Sequence, residues 1–110
     1  MNMDSPFLAI KRLETQLNSV LSALDVFELP AAERKLVLRL RNELIDARLD
    51  IRDYELSETR EEQLGKAKDA KRRLERIRKD ILIASEYNVF SAVDVAQLTA
   101  EIEGLEHNLR

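Results

Sequence analysis

The stretch Tyr54-Glu55-Leu56-Ser57-Glu58-Thr59-Arg60-Glu61-Glu62-Gln63-Leu64-Gly65-Lys66-Ala67 decides the fold, because two hydrophobic registers meet in it out of phase. Upstream, Val37, Leu40, Leu44, Ala47, Ile51 and Tyr54 recur in steps of three and four, the a/d spacing of a helix seam. Downstream, Ala67, Ala70, Leu74, Ile77, Ile81 and Ala84 do the same. Continuing the first register would bury Glu58, Glu61 and Gly65. The second seam is displaced from it by two residues, a shift that a continuous coiled coil does not absorb as it does an insertion of three or four. The chain therefore turns near Ser57, and Thr59 with Glu62 reads as the capping box of the next helix.

Outward from that turn, a first segment opens at Ser5-Pro6, a cap followed by proline at the first helical position. It carries Ile10, Leu13, Leu17, Val20, Leu24 and Phe27 on one seam, which predicts a helix over 6–27. The second helix is predicted over 30–56, with Leu36 and Ile45 widening its apolar stripe, and the third over 59–86. Val95, Leu98, Ile102, Leu105 and Leu109 predict a fourth over 92–109, capped by Ser91 with Asp94 and stapled by Phe90 against Val95. The third and fourth seams share one register. A single long C-terminal helix in a coiled-coil hairpin, completed by dimerisation, is therefore the alternative to an all-α antiparallel bundle of four helices.

Composition agrees with one helical domain over residues 1–110. Charged residues make up 35 % of the chain, apolar ones 45 %, and only two glycines and two prolines occur, too few turn formers for a β-rich fold. The chain has no cysteine, so disulfide frameworks and Cys-based zinc sites are excluded. The most apolar window, Ile81 to Ala100, is interrupted by Glu86 and Asp94, so no membrane span is expected. Met1 to Pro6 lacks the basic start and apolar run of a secretory signal, which makes cytoplasmic residence the expectation.

No catalytic or cofactor constellation emerges. The single His107, four residues after Glu103, supplies at most half a metal site on a helix, and neither glycine has the second glycine that a phosphate-cradling loop requires. Ser5, Ser57 and Ser91 sit at predicted helix starts and are remote in sequence from the histidine. Leu40-Arg41-Asn42-Glu43-Leu44-Ile45-Asp46 and Gly65-Lys66-Ala67-Lys68 loosely resemble two segments of the small helical chorismate mutases, dimers of three-helix subunits. That resemblance implies a cationic site for a dianionic substrate, with Arg41 and Lys68 among its cations. The mid-helix arginine that the family places upstream of the lysine falls on Ser57, and no site residue is carried over. The expectation is a non-enzymatic protein with no cofactor, no metal and no small-molecule substrate.

Two features exceed what the seams require. Between Lys66 and Lys79 lie eight basic residues against Asp69 and Glu75, in a chain whose net charge is −3. Lys68, Lys71, Arg72, Arg73, Arg76 and Lys79 are the candidate contacts to an anion or nucleic acid, by neutralising phosphates and releasing counterions. The alternative for these cations is ion pairing with the acidic residues of neighbouring helices. The second feature is the apolar corner around Tyr87, Val89, Phe90 and Val93, candidate anchors for a protein partner. The leading expectation is a protein–protein interaction or assembly module, adaptor or chaperone-like, self-associating as a homodimer through apolar helix faces. A nucleic-acid-associated protein using the basic helix is the other.

Overall fold

The computed structural model describes residues 5–109; the Met1–Asp4 stretch read above for a signal lies outside them. Four helices follow one another: α1 (Pro6–Ser22), α2 (Ala31–Leu56), α3 (Arg60–Glu86) and α4 (Ala92–Asn108), with a short 3-10 turn at Val26–Glu28. No strand occurs among the described residues. The chain is an all-α bundle.

α1, α3 and α4 each start where a side chain satisfies free amides, whereas α2 follows Pro30 without a side-chain cap. Ser5 Oγ accepts from the Leu8 N–H at 3.2 Å, and Pro6 occupies the first turn where no donor is needed. Thr59 Oγ1 accepts from Glu62 N–H at 3.1 Å. Ser91 and Asp94 form a reciprocal capping box at 3.1 and 3.3 Å. The turn between α2 and α3 is closed by the Ser57 hydroxyl, which donates to the Asp53 carbonyl at 2.7 Å.

α1 is shorter than predicted. It ends at Ser22, and the chain re-enters a tight turn in which Asp25 accepts from the Phe27 N–H at 3.2 Å. A short acidic side chain that bonds the backbone two residues on competes with helix continuation. Phe27 therefore leaves the seam and stands 87 % exposed.

The alternative of one long C-terminal helix is overturned at Asn88. The Val89 N–H reaches back to the Ala84 carbonyl at 3.0 Å and the Asn88 N–H to that of Ser85 at 3.1 Å. With Asn88 at φ 62 this is a Schellman ending, and asparagine is one of the few non-glycine residues that tolerates the left-handed region. The chain then reverses into α4.

Pairing between helices fixes their directions. Arg39 with Asp80, Asp50 with Arg73 and Asp53 with Lys66 ascend α2 while descending α3. Glu14 with Arg48, and the Phe7 N–H with Glu55, set α1 antiparallel to α2, and Arg12 with Glu101 joins α1 to α4. The result is an up-down-up-down bundle. All predicted seams meet in one core containing Ile10, Leu17, Leu40, Ile51, Leu74 and Ile102, among others. Each such fully buried side chain contributes roughly 1.5–3 kcal/mol of transfer free energy.

Candidate functional site

The basic helix is divided between internal and external duties. Arg73 lies between α2 and α3, bonding Asp50 and, at 3.4 Å, Asp46; the Asp50 bond holds its guanidinium above its ordinary pKa. Lys66 pairs with Asp53 at 3.8 Å and Arg78 with Glu106 at 3.7 Å. Arg72 and Lys79 meet Asp69 and Glu75 of their own helix, each at 3.5 Å. Lys68, Lys71 and Arg76 are exposed and make no ion pair among the described residues. Of the six candidate cations, Arg73 belongs to the bundle's interior seam and the other five face outward.

The apolar corner is divided as well. Val89 and Phe90 are only 7 % and 3 % exposed, because the Schellman turn drives Val89 inward and Phe90 leads into the α4 cap. Both are part of the core, so they cannot serve as partner anchors in this conformation. Tyr87 and Val93 remain exposed.

A longer apolar surface lies elsewhere, on the side of α2 turned away from its buried seam. Leu38, Ile45, Leu49 and Leu56 keep 44–69 % of their surface exposed. Their spacing of seven, four and seven residues is a second heptad line, about 27 Å long at helical rise. Arg34, Arg41 and Arg48 run along its α1 side at intervals of seven, and Asp46 and Asp53 along its α3 side. At its N-terminal end a depression of about 440 Å³ opens between Leu24, Val26, Phe27 and Leu38, with Arg34 and Arg41 at the rim. Sequence reasoning registered only Ile45 of this line. The signal was present in the spacing, but the core seam already accounted for the helix.

Between α2 and α3 sits the only buried charged residue among the described ones, Asp80. Arg39 holds it with two bonds, at 3.0 and 2.7 Å. Burial and the neighbouring Asp80 carboxylate push the Glu43 carboxyl up to about 7. Glu43 Oε2 is buried and has no hydrogen-bond partner. Chemically, Glu43 can hold its proton beside the Asp80 carboxylate, while Arg39 and Arg76 act against the rise.

Among the described residues no group of three or more His, Asp or Glu side chains could hold a metal ion, and no helix is long and apolar enough to cross a membrane. Arg41 lines the α1–α2 groove while Lys68 stands on exposed α3, so the two cations implied by the chorismate-mutase resemblance do not share a cavity. Searches against known protein families, curated proteins and solved structures return no match.

Proposed function

We propose that this chain is a non-enzymatic protein–protein interaction or assembly module, acting in the cytoplasm, that buries an apolar helix face against another protein chain. One observation carries the reading. α2 already supplies a complete core seam, yet it holds four large apolar side chains in water at heptad spacing on its other side. Isolated exposed hydrophobics are ordinary on protein surfaces, whereas four large apolar side chains on one heptad line, with charged rims and only Asn42 and Arg52 between them, have the composition of a docking face. The mechanism is desolvation of that line, with the rim charges selecting orientation.

The test is an Ile45→Glu/Leu49→Glu double variant. Both positions are exposed, so its circular dichroism and thermal melt should match the parent's, while complexes seen by sedimentation and by cross-linking in cell extract should disappear. The reading fails when the parent chain forms no complex with itself or any protein, or when its complexes survive the double variant.

A second reading, nucleic-acid association through Lys66–Lys79, is favoured by the exposed Lys68, Lys71 and Arg76, which make no ion pair among the described residues. It is weakened by the acidic whole and by the cations already paired to carboxylates. Absence of binding to DNA or RNA at about 50 mM salt, where phosphate contacts are strongest, removes it.

A further inference from the structure

We propose that the outward line of α2 receives the same line of a second copy of this chain, the two α2 helices running parallel. The inference rests on the docking reading above and gives it an occupant. Placed in a heptad, the line has Asn42, Leu49 and Leu56 at a, and Leu38, Ile45 and Arg52 at d. Its central edges are sorted by sign, with Arg41 and Arg48 at g and Asp46 and Asp53 at e; toward the ends Arg34 and Glu55 lie at g, and Arg39, whose charge Asp80 offsets through two bonds, lies at e.

Orientation follows from those edges. In a parallel pair each g residue faces the e residue five positions on in the other helix. Arg41 then meets Asp46 of the second copy and Arg48 meets Asp53, each twice by symmetry. An antiparallel pair sets g against g and e against e, so at its centre Arg48 faces Arg48 and Asp46 faces Asp46, and only toward the ends does Arg41 meet an opposite charge, Glu55. The parallel register also places Asn42 opposite itself, where two amides bond across the seam. A single polar a position is a known specifier of register and of the two-stranded state.

The same residues limit affinity. Arg52 at d meets its own copy, placing two cations in the seam. Arg48, Asp46 and Asp53 already have intramolecular partners at 3.2, 3.4 and 3.8 Å, so the intermolecular pairs extend existing networks and set orientation more than strength. The expected dimer is a reversible one, formed at micromolar concentrations.

The absence of cysteine makes the orientation directly measurable. Asn42→Cys and Leu56→Cys replace exposed side chains and leave the core intact. Under mild oxidation each should form a covalent dimer with itself, while Glu75→Cys on the outer face of α3 should not. In an antiparallel pair centred on Ala47, two copies of position 42 lie about 15 Å apart and two of position 56 about 27 Å, too far for a disulfide. Cross-linking of Asn42→Cys only with Arg52→Cys, as that arrangement requires, overturns the parallel assignment. Sedimentation equilibrium of the unmodified chain should show a monomer–dimer equilibrium whose dissociation constant rises at least about tenfold in Ile45→Glu. A chain that stays monomeric to several hundred micromolar overturns the second copy as occupant. If that monomer enters a larger complex in extract that the Ile45→Glu/Leu49→Glu variant loses, the docking reading survives. If it enters none, both fall.

Discussion

α2 and α3 are near twins in length and core content, yet their outer faces are opposites. Each gives the core a heptad seam, and they pack on one another antiparallel. Outside, α2 presents Leu38, Ile45, Leu49 and Leu56, whereas α3 presents Lys68, Arg72, Glu75 and Lys79. Leu64 and Leu82 of α3 also fall on one line, but Lys71, Glu75 and Arg78 interrupt it. A helix in this bundle thus needs only one apolar face, and α3 shows what the other becomes when nothing covers it. The second face of α2 is surplus to folding, and that surplus is what the proposed docking reading rests on.

The comparison predicts effects of very different size on the two sides of these helices. Ile77→Ala in α3 or Ile51→Ala in α2 removes a fully buried side chain and should cost about 2–5 kcal/mol in urea unfolding, equally in both helices. Leu49→Ala on the outer face of α2 should cost under about 0.5 kcal/mol when measured on the monomer. A loss as large as that at Ile51 would mean that the outer line is core, and the contrast would collapse. Next in size is association. Ile45→Glu/Leu49→Glu should weaken self-association at least about tenfold, whereas Lys68→Glu/Arg72→Glu on α3 should leave it unchanged and reduce only retention on a polyanion. Arg52→Leu removes the cation pair from the proposed seam and should tighten the dimer by about tenfold, read by sedimentation. Weakening instead would show that Arg52 contacts something acidic there.

Much of this architecture was legible in the sequence because hydrophobic phase is a local property. The two-residue shift across Ser57 sufficed to separate α2 from α3, and the Ser91–Asp94 box marked the start of α4. Two corners were less legible. Leu24 and Phe27 continue the first seam, and the helix stops before them without glycine or proline because Asp25 competes for the backbone. Asn88 looked like an ordinary polar residue in a shared register; its left-handed conformation is what buries Val89 and Phe90 and withdraws them from the surface. The basic run was plain as charge, but which cations are committed depends on which acidic helix lies alongside. Pairings such as Arg73 with Asp50, 23 residues away, carry no periodic signal. The same is true of Glu43 with Asp80.

That carboxyl pair yields a modest, pH-dependent effect and completes the contrast, since it lies where α2 and α3 face each other. Burial and Asp80 raise the Glu43 pKa from 4.5 to about 7, while Arg39 and Arg76 act against the rise. A carboxyl whose pKa rises on folding holds its proton more tightly in the folded chain. The folded state therefore gains stability from this group as pH falls from about 7 to about 4.5, and loses it as pH rises through the same window. Glu106 on α4, also raised by burial, contributes in the same direction, so the wild-type profile alone does not isolate Glu43. Glu43→Gln does. The amide can donate to Asp80 as the protonated acid does, but carries no charge at any pH, and Arg39 keeps its bonds to Asp80. The variant should melt roughly 2–4 °C above the parent at pH 8, and the two curves should converge near pH 4.5. A difference that is independent of pH would show that Glu43 titrates as a solvated carboxyl, leaving the Arg39–Asp80 bond as the polar contact at this level of the α2–α3 interface.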